Sequence, residues 1–220
     1  GVAKRLDERD DYDSQDPRFC GKAGCFDELL VDNLRSELGA KTDDRFIVLH
    51  TKGSHGPAYY QRYPDAFARF QPACATNELQ RCPREQIINA YDNTILYTDH
   101  VVASAVRALR DDGKVDSALL YIADHGESTG EGGLYLHGAP YLIAPQSQTH
   151  IPMLLWLSDG FRARRGLDKG CIAARRGAEL SQDNLFDTLL GLLGVRTTAY
   201  RPALDAFAGC AKPTAAQSTH

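Results

Sequence analysis

The sequence predicts an α/β sandwich with a mostly parallel central sheet flanked by helices. Three observations carry that expectation. Short apolar runs at 45–50, 117–123 and 151–157 read as buried strands. Between and after them lie stretches whose apolar residues recur every three, four or seven positions, the period of a helix with one buried face. Each such stretch runs into a glycine, Gly39, Gly113 or Gly194, as helix ends commonly do.

In chain order, residues 1–17 are polar, rich in Asp and Arg, and read as a loop or frayed end. A helix is expected over 26–38 on the stripe Leu29, Leu30, Leu34 and Leu38. The run from Arg45 to His50 should be a strand, followed by the polar turn 51–57. Residues 59–82 are aromatic, interrupted by proline and expected to be irregular. A long helix is expected over 84–110, with Ile88, Tyr91, Ile95, Val102, Val106 and Leu109 on its buried face. The run 117–123 should be a central strand covered on both faces. A glycine-rich loop, 126–138, and the strand at 151–157 follow. A last helix over 181–193 shows Leu185, Leu189, Leu192 and Leu193 on one side. In sheets of this kind ligands collect beyond the carboxyl ends of the strands. That rule places the chemistry just after His50 and just after Ala123.

Composition narrows the function classes. The chain has 220 residues, 43% of them hydrophobic and 25% charged, which suits a folded domain with a proper core. No Pro/Gly/Ser-rich linker divides it, so a single domain over 1–220 is expected. The net charge of −4 gives no basic footprint for nucleic acid, and no nucleic-acid partner is expected. The one basic cluster, Arg162, Arg164, Arg165, Lys169, Arg175 and Arg176, reads as a solvated loop, with contact to anionic headgroups as the sharper alternative. No apolar run reaches the roughly 20 residues needed to cross a bilayer. Among the six cysteines, Cys20 lies close to Cys25 and Cys74 to Cys82, leaving Cys171 and Cys210. Short cysteine loops in polar sequence read as disulfides and point to an oxidising compartment; buried free thiols are the alternative.

The chemistry-bearing residues cluster in a few places. In Asp124-His125-Gly126-Glu127 a carboxylate and an imidazole stand where a strand gives out into a glycine turn. Asp and His both ligate zinc, and a chain leaving a sheet can converge them on one ion. Glu127 can act as a base, a substrate contact or a support for a ligand. His55 and His137 are each followed by glycine, which lets a ligand approach the backbone closely. A site built from Asp124, His125, His55 and His137 would suit zinc and a phosphate. His50 at its strand end, His100 in the long helix and His150 before a strand lack that setting and read as structural.

These segments resemble those of a known family. Residues 124–128, Asp-His-Gly-Glu-Ser, and 130–140, Gly-Glu-Gly-Gly-Leu-Tyr-Leu-His-Gly-Ala-Pro, closely resemble the motifs of the phosphoethanolamine transferases that modify lipid A, which include the mobile colistin-resistance enzymes. Residues 49–59, 72–82 and 88–93 resemble further segments of the same family, in the same order. The resemblance implies an alkaline-phosphatase/sulfatase-like fold and Zn2+. Asp124 and His125 match its zinc ligands. His55 and His137 match residues that hold the phosphoryl group or a second zinc, and Glu127 matches a glutamate near the substrate. Cys20–Cys25 and Cys74–Cys82 match family disulfides, whereas a third pair, Cys171–Cys210, has no family counterpart. The implied reaction moves phosphoethanolamine from phosphatidylethanolamine to a lipid A phosphate on the periplasmic face of the inner membrane, giving polymyxin resistance. The family's nucleophilic threonine, another zinc ligand and the membrane helices precede the region matched here. The chain is therefore expected to be the C-terminal part of a periplasmic catalytic domain, with no catalytic nucleophile of its own and little activity alone. The alternatives are a phosphatase or sulfatase-type hydrolase with the same Asp-His pair, or an inactive fragment.

Overall fold

A computed structural model describes residues 16–38 and 44–211. Most of the expected polar lead-in and the expected helix stop at Gly39 lie outside them. Contacts divide the chain into two compact units, Gly1–Asp112 with Tyr121–Pro152, and Gly113–Leu120 with Met153–His220.

In the first unit, a two-stranded antiparallel hairpin, β1 (Cys20–Gly21) and β2 (Gly24–Cys25), is closed by the Cys20–Cys25 disulfide and leads into α1 (Glu28–Leu38). The unit is organised around α2 (Arg84–Asp112), which starts behind Pro83, carries Glu85 in its first turn and Arg110 in its last, and stops before Gly113 at φ 59°. Its length matches expectation, but its buried face does not. The residues turned inward are Ile87, Ala90, Asn93, Thr94, Tyr97, Val101, Ser104, Ala105 and Ala108, and Ile95 is exposed. This stripe sits one residue N-terminal to the expected one, about 100° around the helix. Small and polar residues on the buried side allow close approach, so the large aliphatics did not mark it.

Leu29, Val31 and Leu34 of α1 are buried, and α1 packs on α2. The aromatic stretch 59–82 is irregular, as expected, with three short 3-10 turns. It is pinned to α2 by polar and apolar contacts. Asn93, fully buried, accepts from Phe70 N–H at 2.8 Å and donates to Phe70 C=O at 3.0 Å and to Tyr63 Oη at 3.2 Å. Such a satisfied buried amide fixes the chain that it bonds. Tyr59, Cys74, Leu79, Ile87 and Ala90 form the unit's best-covered core, with Leu136 packed against it.

The strand expected at 45–50 does not form. The segment has no regular structure, and Phe46, Ile47 and Val48 are 57%, 42% and 46% exposed. A strand is defined by its neighbour, and none pairs with this run among the described residues. His50, expected to be packed, is exposed.

β3 (Ala118–Ile122) forms at its expected place, only half-buried rather than covered on both faces, and pairs with β6 (Met153–Leu157). The glycine-rich loop contains a small antiparallel hairpin, β4 (Ser128–Thr129) with β5 (Tyr135–Leu136), and leads to the single turn α3 (Gln146–Thr149). In the second unit, β6 is followed by α4 (Asp159–Arg164), α5 (Lys169–Ala174) and α6 (Asp183–Leu193). Leu167, Leu192, Ala206, Phe207 and Cys210 form its core. The basic stretch 162–176 thus includes the end of α4 and all of α5 rather than being a loop throughout, and Arg164, Lys169, Arg175 and Arg176 are exposed, as expected of a solvated segment. Several of its cations have partners within the unit: Arg164 pairs with Asp116, Arg165 donates to the carbonyls of Leu192 and Gly191 at the end of α6, and Arg175 to Ala208 C=O. The α6 face differs too, because Asp187 and Thr188 are buried whereas Leu193 is exposed. Cys74–Cys82 and Cys171–Cys210 are bonded, so all six cysteines are paired.

Candidate metal centre

All five predicted site residues lie in the first unit, on three stretches of chain. His55 follows the Gly53 turn, Asp124 and His125 follow β3, and His137 follows β5. The three histidines meet. One ring nitrogen from each lies within 4.8 Å of the others. The ring centroids of His125 and His137 are 4.0 Å apart, those of His55 and His137 5.0 Å, and those of His55 and His125 5.9 Å.

Hydrogen bonds to Nδ1 distinguish the two nitrogens of each ring. His55 Nδ1 donates to Gly56 C=O at 2.7 Å and His125 Nδ1 to Gly126 C=O at 3.0 Å. His137 Nδ1 donates to Glu127 Oε1 at 3.0 Å. Carbonyls and carboxylates only accept, so each Nδ1 carries a proton, which leaves Nε2 as the ligating atom of the neutral ring. This is the tautomer a metal-ligating histidine needs, and its usual outer partner is a carbonyl or carboxylate. One nitrogen from each of three imidazoles in a single space is a donor set that zinc would accept. By donor chemistry the residues fit zinc.

Asp124 is placed beside this group rather than in it. Its side chain is 86% exposed, and Oδ1 lies 3.9 Å from His125 Nε2, on the lone-pair side of that ring. Glu127 is buried and works from beneath. Besides accepting from His137, its carboxylate accepts from Gly56 N–H at 3.3 Å and from Tyr59 Oη–H at 2.8 Å. One carboxylate thus holds both the His55 and the His137 stretches. Tyr59, in turn, packs edge-on against Tyr91 of α2. Burial and the Glu127 charge hold the Tyr59 phenol far above its ordinary range, so it remains a donor. The Tyr91 phenol is pushed up to about 12, chiefly by burial.

The loop backbone is shaped for close approach. Leu136, just before His137, has φ 64°, a left-handed conformation rare for a branched side chain. Its side chain covers Gly56, where a Cβ would come within 2.5 Å of Leu136 Cδ2 and 2.8 Å of the Tyr59 ring. Gln148 of α3 ties the ends of the loop together. Its backbone carbonyl accepts from Gly126 N–H at 3.0 Å, its Oε1 from Ala139 N–H at 3.2 Å, and its Nε2 donates to Ser128 Oγ at 2.8 Å. Tyr59 and Gln148 were not visible as site residues, since their roles depend on contacts with distant residues. His100, expected to lie off the site, pairs with Glu28 at 3.0 Å.

The description "Sulfatase" belongs to the family model that matches residues 2–195 of this chain. The chain belongs to the sulfatase family. Its similar relatives within it are more particular. It is 49% identical over 196 residues to the phosphoethanolamine transferase EptA of Salmonella typhimurium, covering 88% of this chain and 36% of that protein. It is 40% identical over 153 residues to the phosphatidylethanolamine transferase Mcr-1 of Escherichia coli, covering 69% of this chain and 27% of that one. The crystal structure of the soluble domain of lipooligosaccharide phosphoethanolamine transferase A from Neisseria meningitidis superposes with a TM-score of 0.83 at 43% identity, covering 90% of this chain and 60% of the other. The alkaline-phosphatase/sulfatase-like fold is therefore established. The chain spans about a third of the length of the curated relatives it matches.

Proposed function

We propose that this chain forms the metal-binding face of a phosphoethanolamine transferase that moves phosphoethanolamine from phosphatidylethanolamine to a lipid A phosphate at the periplasmic face of the inner membrane. The relatives named as phosphoethanolamine transferases support the reading, and the observation that carries it is the convergence of three histidines whose Nδ1 atoms are each tied to a neighbouring acceptor. His125 and Asp124 are the proposed zinc ligands. His55 and His137 are proposed to hold the phosphoryl group or to complete the zinc site, and Glu127 holds His137 at its angle. Bound zinc would supply positive charge to a phosphoryl oxygen and to the hydroxyl that attacks it. The chain's own residues do the rest of the work here. The Nδ1 protons of His55 and His137 are engaged by Gly56 C=O and Glu127, so the two rings offer Nε2 lone pairs to a cation, and each would need a second proton, on Nε2, to donate to a phosphoryl oxygen. Glu127 keeps its carboxylate out of water and on the protein side of the rings, so it positions rather than reacts. Adding an amine to lipid A phosphates lowers their attraction for cationic polymyxins, which links the reaction to resistance.

Calorimetric titration of Zn2+ into the purified chain tests the site. Affinity is expected to fall by at least about tenfold in His55→Ala, His125→Ala and His137→Ala. Unchanged affinity in all three would remove the metal centre. In the full-length protein, transfer of labelled phosphoethanolamine to lipid A should be lost in His125→Ala; release of free phosphoethanolamine instead of transfer by the unaltered protein would make it a hydrolase.

A further inference from the structure

We propose that Asp27 is a positioning residue for the His55 arm of the site, and that through it the disulfide-closed hairpin at 20–25 holds that arm in place. The inference rests on the metal reading above. Asp27 lies between β2 and α1, where a carboxylate would ordinarily cap the helix. Its oxygens point elsewhere. Oδ1 accepts from Lys52 N–H and Oδ2 from Gly53 N–H, each at 2.9 Å, across 25 and 26 residues. Two consecutive backbone donors on one carboxylate are strong, charge-assisted bonds that fix the turn they come from.

That turn carries His55. Gly53 has φ 53°, and the turn closes on itself only by His55 N–H to Lys52 C=O at 3.4 Å. Residues 44–58 contain no helix or strand that could hold it otherwise. Downstream, the stretch is held by Arg62 Nε donating to His55 C=O at 2.9 Å and by Gly56 N–H on Glu127. Upstream, Asp27 is the observed tether. Asp27 is itself held by rigid neighbours. Phe26 N–H donates to Phe19 C=O at 2.8 Å across the hairpin, Cys20 faces Cys25 in the β1–β2 register with their sulfurs bonded, and α1 begins at the next residue. Lys52 fastens the same junction a second time, with Nζ donating to Cys25 C=O at 3.2 Å over Gly24. The imidazole at 55 is therefore located from both sides, by Glu127 and by Asp27.

The test measures Co2+ affinity and the visible absorption of the bound Co2+ in the purified chain, with a four-member set: wild type, Asp27→Ala, His55→Ala and the double variant. Asp27→Ala is expected to weaken Co2+ by about tenfold and to alter its absorption bands. Because Asp27 acts through His55, it should have no further effect once His55 is gone. Asp27→Asn keeps one accepting oxygen and should fall between wild type and Asp27→Ala; it carries the test if the alanine variant does not fold. Wild-type affinity in the Asp27 variants, with affinity lost in His55→Ala, would overturn the positioning role. So would a loss in the double variant equal to the sum of the single losses, which marks a general structural effect. Wild-type affinity in His55→Ala would instead sink the metal reading on which the inference stands.

Discussion

Glu127 shows how much of a site one side chain can set. It is a buried carboxylate with three donors, and each comes from a residue that shapes the histidine cluster. The Asp124-His125-Gly126 turn and the two His-Gly pairs were legible in the sequence because residue type and local glycine context suffice to mark them. The distinction drawn there, with zinc on Asp124 and His125 and the phosphoryl group or a second zinc on the other two histidines, meets a tighter arrangement in which all three rings share one space. The supports, Asp27, Tyr59 and Gln148, were not legible, because nothing local distinguishes a carboxylate that caps a helix from one that reaches a loop 25 residues away. Gly56 offers a test at this scale. Gly56→Ala would push its new methyl against Leu136 and Tyr59, both packed in the core, and move the amide off Glu127 and the carbonyl off His55. We expect a loss of about 1–3 kcal/mol in stability together with weaker Zn2+ binding, read by thermal melts and titration; unaltered values for both would show that the contact is loose.

Among the elements, the β4–β5 hairpin does the most to place His137. Glu131 locks it, accepting from Thr129 N–H at 2.7 Å and Thr129 Oγ1 at 3.1 Å, with Arg84 of α2 at 3.4 Å. Partial burial works to raise the Glu131 pKa, but hydrogen bonds from its own backbone and from Thr129, with the Arg84 charge, outweigh it and hold the carboxyl below its ordinary value of 4.5. A depressed folded pKa contributes stability that is present above 4.5 and is lost as pH falls below it toward the folded value. The melting temperature of Glu131→Gln should therefore lie below that of the wild type at neutral pH and approach it under acid conditions; a constant gap at every pH would contradict this assignment. Periodicity found α1, α2 and α6 but misplaced the buried faces of α2 and α6, and it did not mark the short helices α3, α4 and α5. For α2 the reason is physical: Ala90, Ala105 and Ala108 bury little surface each, yet they decide where another element can come close.

At the level of the whole molecule, three disulfides do work of different size. Cys171–Cys210 spans 39 residues, against 5 and 8 for the others. In the chain-entropy account the longest loop contributes about 4 kcal/mol and the shorter two about 2–2.5 kcal/mol each. Replacing Cys171 and Cys210 together by serine should lower the denaturation midpoint more than the same change at Cys74 and Cys82; the reverse order would point to strain or denatured-state structure instead. Family membership and the places of α1, α2, β3, β6 and α6 were evident in the sequence, whereas the division into two units, the short strands and helices between those elements and the unpaired run at 46–48 were not. An apolar pattern announces a strand, but only a neighbour makes one. The site itself has a related property. His55, His125 and His137 are strangers in the extended chain, brought side by side only when distant loops close around Glu127. An ion seated among them would act as a keystone, held while the arch stands and released when it opens.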